Sequence, residues 1–222
     1  MKGGHKKLFA WILAVLMIWP ACFACSDSKS HTKGVYLLLD TSGTYKVELK
    51  KARALINYLL GTLQPGDTLA VGRIDTGSFS EKDIVAKVTF DDRPSVANNQ
   101  KRAFMQKIDK FIKSSARSRY TDISGGLLQA IEYLNEVGPG SKYILIFSDL
   151  QEELAEGYVR DVPFQLSGFH VVALNVTKLR SDIRDPKNYM RRVEQWRQKT
   201  EKGGGTWRVI NDLERLDAIF KD

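Results

Sequence analysis

Six short apolar runs, separated by stretches with helical periodicity, are the strongest constraint on how this chain can fold. The runs are Val35–Leu39, Thr68–Ile74, about Ile84–Phe90, Tyr143–Phe147, Phe169–Val176 and Thr206–Ile210. Each has the length of a buried strand. Between them, Leu49, Ala52, Ile56, Leu59, Leu60 and Leu63 fall on one helical face, and Pro65-Gly66-Asp67 stops that helix. Phe104, Ile108, Phe111 and Ile112 mark a second helix, with a basic outer face. Leu127, Leu128, Ile131 and Leu134 mark a third, Tyr189, Val193 and Trp196 a fourth, and Leu213, Leu216, Ile219 and Phe220 a last one. A helix between two strands lets the second strand return parallel to the first. The order therefore predicts an α/β fold: a doubly wound, mostly parallel six-stranded sheet flanked by helices, of Rossmann-like type.

In such sheets ligands bind beyond the carboxyl ends of the strands, where the strand order reverses. Asp40 stands at such a place. The strand Val35-Tyr36-Leu37-Leu38-Leu39 ends on Asp40-Thr41-Ser42-Gly43-Thr44, which delivers a carboxylate and two hydroxyls to one spot. Mg²⁺ and Mn²⁺ favour such hard oxygen ligands. Taken alone, Ser42 and Thr44 would serve equally well as helix caps. Asp149 follows a second buried strand through Ser148, and Tyr120-Thr121-Asp122-Ile123 places another hydroxyl at a helix entrance. Singly, Asp149 and Thr121 are also ordinary capping residues.

Together these positions resemble the von Willebrand factor type A domain with its metal-ion-dependent adhesion site, over essentially the whole chain after the N-terminal segment. The resemblance implies that Asp40, Ser42, Thr44, Thr121 and Asp149 hold Mg²⁺ or Mn²⁺. It also implies that a carboxylate from a protein partner completes the coordination. Two departures stand out: Thr44 replaces the commoner second serine, and Leu150 follows Asp149 where glycine is frequent.

The N-terminus predicts a destination. Lys2, Lys6 and Lys7 precede an apolar run from Leu8 to about Ile18, with small residues around Cys22, Ala24 and Cys25, as in an export signal over residues 1–24. An uncleaved anchor is the alternative, but the run is short for a membrane span and Pro20 interrupts its end. Phe23-Ala24-Cys25-Ser26 resembles a lipobox, which implies a lipid on Cys25 and an envelope lipoprotein on the periplasmic face of the outer membrane. Phe23 and Cys22 depart from that pattern, so plain cleavage after Ala24 stays open. Residues 25–33 read as a polar tether and 34–222 as one domain, with no cysteine after Cys25 and so no internal disulfide.

The full chain carries a formal charge of +8, and loss of the signal removes three lysines and no acid. Arg180, Arg184, Lys187, Arg191, Arg192, Arg197, Lys199 and Lys202 gather after the fifth strand. They read as a solvated face or an acidic-partner surface; export argues against nucleic acid. The reading is thus a metal-dependent binding module of the cell envelope and not an enzyme. The noncatalytic alternative is a structural envelope protein that uses no metal. Two enzymatic readings compete. Asp40-Thr41-Ser42-Gly43 and Asp75-Thr76-Gly77 both look like aspartic-protease turns, but a helix lies between them and that family is mainly β. Asp40 also resembles the nucleophile of haloacid-dehalogenase-like phosphotransferases, yet Ser42 stands where their acid/base aspartate belongs. No histidine is placed for catalysis: His5 falls in the signal, His31 in the tether and His170 at the start of a buried strand.

Overall fold

The computed structural model describes residues 31–42, 45–74, 80–114 and 118–221. The export signal, Cys25, Thr44 and the second aspartate turn, Asp75-Thr76-Gly77, lie outside those residues. Within them the chain runs β1 (Lys33–Leu39), α1 (Leu49–Thr62), β2 (Thr68–Arg73), β3 (Ile84–Thr89), α2 (Pro94–Ser114), α3 (Ile123–Val137), β4 (Ser141–Phe147), β5 (Phe169–Leu174), α4 (Arg180–Arg184), α5 (Lys187–Lys202) and β6 (Thr206–Ile210). The segment read as a last helix is a 3₁₀ helix, Leu213–Phe220, kinked at Arg215.

The sheet order is β3-β2-β1-β4-β5-β6. All pairings are parallel except β2 with β3, because the link between Arg73 and Ile84 is shorter than the dozen or more residues that a parallel crossover takes. β1 is central. It is buried on both faces, which is why its sequence is continuously apolar instead of alternating. Val35, Leu37 and Leu39 belong to the core shared with α1, α2 and the C-terminal 3₁₀ helix; Tyr36 and Leu38 belong to the core shared with α3 and α5. Tyr36 finds a partner for its buried hydroxyl in Gln129 Oε1 at 2.7 Å. Among the described residues no helix is long and apolar enough to cross a membrane.

From β1 the chain builds outward through β2 to β3, then returns to the centre at β4 and builds the other way. The reversal falls between β1 and β4, whose register pairs Leu39 with Phe147. Their carboxyl ends splay the connecting loops apart and leave a crevice. Two glycines let α3 press close to it. A Cβ on Gly126 would stand 2.6 Å from Ile74 Cγ2 and 2.9 Å from Leu38 Cδ2, and one on Gly125 would meet the Asp122 carboxylate.

Candidate functional site

At the crevice, Ser42, Thr121 and Asp149 line a cleft of about 510 Å³, together with Ser118, Arg119, Gln151, Glu153, Leu179 and Ser181. Asp40 is fully buried next to it. Its backbone N–H donates to Phe147 O (3.1 Å), which continues the β1–β4 ladder one residue past the strand. Its Oδ1 accepts from the Ser42 N–H at 2.8 Å and its Oδ2 from the Ser148 hydroxyl at 2.7 Å. Four of the five residues singled out from sequence are therefore brought to one end of the sheet; Thr44 is outside the described residues.

Thr121 is held by backbone pairing. Its N–H donates to Glu153 O at 2.8 Å and its O accepts from the Glu153 N–H at 2.9 Å, joining the loop before α3 to the loop after β4. The helix cap is the next residue, Asp122, whose carboxylate accepts from Gly125 N–H (2.6 Å) and from Arg160 Nη2 (2.7 Å). Thr121 is thereby released from the capping role that its position alone would have suggested.

Asp149 is 3% exposed. Burial, helped by the neighbouring Asp40 and Glu153 charges, raises its carboxyl to about 6 against the opposing pull of the Gln151 N–H at 2.9 Å and of the Arg192 guanidinium. Leu150 follows with φ +66°. For a branched residue this left-handed conformation costs about 1–2 kcal/mol, so the chain keeps the backbone turn that glycine would give freely. The side chain recovers part of that cost by being buried against Trp196 and its neighbours.

Several contributors were not foreseen. Ser148 serves both loops, since its Oγ also accepts the Leu150 N–H at 3.1 Å. Arg192, read as part of a solvated basic face, is 7% exposed. Its Nε donates to Asp149 O at 2.8 Å, and its two Nη atoms fork onto Asp182 at 3.1 and 2.8 Å, holding the Asp182 carboxyl below the usual range. The signal was present in the helical period: Arg192 sits on the same stripe as Tyr189, Val193 and Trp196. His170 is half-buried, stacked on Tyr143 and within 3.1 Å of Thr206 Oγ1, away from the cleft.

Among the described residues no group of three or more His, Cys, Asp or Glu is placed to hold a metal. The donor set of the cleft is of another kind. Asp149 with Ser42 and Thr121 on the cleft, and Asp40 beside them, are hard oxygen-bearing residues that suit a divalent ion keeping part of its water. The raised Asp149 carboxyl fits this too, because a bound cation would lower the cost of carrying that charge in a buried place.

No protein-family model matches the sequence, and no curated protein does. Solved structures do match. A von Willebrand factor type A protein from Catenulispora acidiphila aligns with TM-score 0.55 and 14% identity, covering 84% of this chain and 40% of that one. The pilus adhesin SpaC from Lactobacillus rhamnosus GG, in its open conformation, aligns at 0.51 and 12%, covering 85% and 29%. The conserved hypothetical protein BatB from Bacteroides thetaiotaomicron aligns at 0.50 and 14%, covering 85% and 95%. The chain thus spans less than half of the first two and nearly all of the third. With its six-stranded, mostly parallel sheet and flanking helices, the chain has a von Willebrand factor A-like α/β fold.

Proposed function

We propose that the chain is a binding module of the cell envelope in which Asp40, Ser42, Thr44, Thr121 and Asp149 hold Mg²⁺ or Mn²⁺ and present it to a carboxylate of a protein partner. One observation carries the reading: Ser42, Thr121 and Asp149 line a single cleft, with Asp40 beside it, at the reversal of strand order. When bound, the ion would supply an open coordination position for an anionic oxygen. Ser148 and the Ser42 N–H would orient Asp40, and Arg119 at the cleft wall would add positive charge for the incoming group. The same residues give little to a phosphotransferase, since neither lysine nor histidine is among the described residues lining the cleft. A pilus adhesin among the structural neighbours agrees with a binding role. Anchoring through a lipid on Cys25 completes the proposal.

The test is thermal. An ion that binds only the native state stabilises it by about 2.7 kcal/mol at a hundredfold excess over Kd. Mg²⁺ or Mn²⁺ should raise the Tm of the wild type and leave that of Asp40→Ala and Asp149→Ala unchanged. Capture of envelope proteins should vanish with chelator and with the same substitutions. Equal shifts in all three proteins, or capture indifferent to chelator, would remove the metal reading and leave a metal-independent envelope protein.

A further inference from the structure

The turn that carries Asp149 is gripped from one helix. Asp149 O accepts from Arg192 Nε at 2.8 Å, and the next carbonyl, Leu150 O, accepts from the Trp196 indole N–H at 3.0 Å. The two donors are four residues apart on α5, so they lie one above the other on a single face. Both are buried: Arg192 is 7% exposed and Trp196 3%. Between the two captured carbonyls lies Leu150, at φ +66°. A leucine prefers to leave that conformation, and the two donors on α5 add to the turn's own bonds, Leu150 N–H to Ser148 Oγ and Gln151 N–H to Asp149 Oδ1, in holding it. On the other side of Arg192, the guanidinium forks onto Asp182, whose carboxylate also accepts the Leu179 N–H at 2.8 Å. Leu179 and Asp149 both line the cleft. One guanidinium therefore ties the backbone on which Asp149 sits to Asp182, which in turn holds Leu179.

We infer that Arg192 and Trp196 are positioning residues for Asp149, and that α5 sets the metal affinity of the cleft without contributing a ligand. The inference rests on the metal-dependent reading of the site. Partners that orient a metal ligand without touching the ion govern affinity through geometry, and their loss weakens binding about 10–100-fold. An ordinary core hydrogen bond would act differently: its loss would lower stability and leave the affinity of the folded protein alone.

The two roles separate by titrating Mn²⁺ calorimetrically into the protein while recording its melting temperature with chelator present. Trp196→Phe keeps an aromatic ring in the core and removes the indole N–H together with part of the packing beside Leu150, a loss of packing for which Val193→Ala is the comparison. Arg192→Lys keeps a cation for Asp182 but cannot serve Asp182 and Asp149 O together. Val193→Ala, at a half-buried position on the same helix that touches neither carbonyl, is the stability control. The expected result is a Mn²⁺ Kd at least about tenfold weaker in Trp196→Phe and Arg192→Lys, with Val193→Ala less stable but unchanged in Kd. Should Arg192→Lys fail to fold, Trp196→Phe decides alone. A Kd within twofold of wild type in Trp196→Phe overturns the inference and makes the grip structural only. Failure of the wild type to bind Mn²⁺ at all overturns the metal reading first, and this inference with it.

Discussion

Asp149 carries a charge in a place where burial and a second carboxylate both oppose it, and this has a measurable sign. Its folded pKa of about 6 lies above the ordinary 3.8, so the folded protein holds that proton more tightly than the unfolded chain does. The corresponding stability is fully present below pH 3.8 and is lost as pH rises through 6. A difference of about two units corresponds to roughly 3 kcal/mol. Asp149→Asn keeps an oxygen for the Gln151 N–H and carries no charge. In chelator at pH 7 to 8 it should therefore be more stable than the wild type, by up to about 3 kcal/mol, and the advantage should disappear near pH 4. Urea denaturation of both proteins across that range measures it. An Asn variant no more stable at pH 7 would mean that the ionised carboxylate is already compensated within the fold. Asp40 calls for a different expectation, because its two oxygens each accept a hydrogen bond and its substitution leaves Ser148 and the Ser42 N–H without their acceptor.

At the scale of elements, the approach of α3 to the sheet depends on missing side chains. Alanine at Gly126 would gain about 1 kcal/mol in helix propensity. It would also drive a methyl against Ile74 and Leu38, both core residues at the end of the sheet that carries the cleft, and overpacking of this kind costs about 1–3 kcal/mol. The clash should win, and Gly126→Ala should melt several degrees lower by circular dichroism; an equal or higher Tm would show that α3 can retreat freely. β1 and β4 were legible in sequence because strands buried on both faces read as continuous apolar runs too short for a helix. Other features were not legible, each for its own reason. β3 runs antiparallel because its link from β2 is too short for a crossover, a consequence of loop length and not of the apolar pattern of the strand itself. The final 3₁₀ helix has the apolar spacing of an α-helix without its backbone. Arg192 looked like surface because its neutralising partner, Asp182, lies on a separate short helix. Asp40, Thr121 and Asp149 could be read as a group only because each stands at a strand or helix terminus. Their supports, Ser148 and Glu153, are unremarkable letters until the loops are brought together.

For the molecule as a whole, the two ends of β1 face opposite poles. The tether enters at Lys33, and Asp40 leaves seven residues later, about 23 Å away along a strand that rises about 3.3 Å per residue. If Cys25 bears lipid, the wild type should partition with membranes and Cys25→Ser should be released as a soluble protein with unchanged metal affinity. Intact-mass analysis and detergent partitioning report both outcomes, and an unmodified soluble wild type would end the lipoprotein proposal. Held from below, the domain would present its cleft outward. Tension between a tether and a partner seated on Asp40 would then run along β1, which is bonded on both sides to parallel neighbours, β2 and β4. Those hydrogen bonds lie across the pull and are loaded together in shear, rather than opened one by one like a zipper. The strand that places the aspartate at the cleft is thus also one that is bonded along both sides against being drawn out of the sheet.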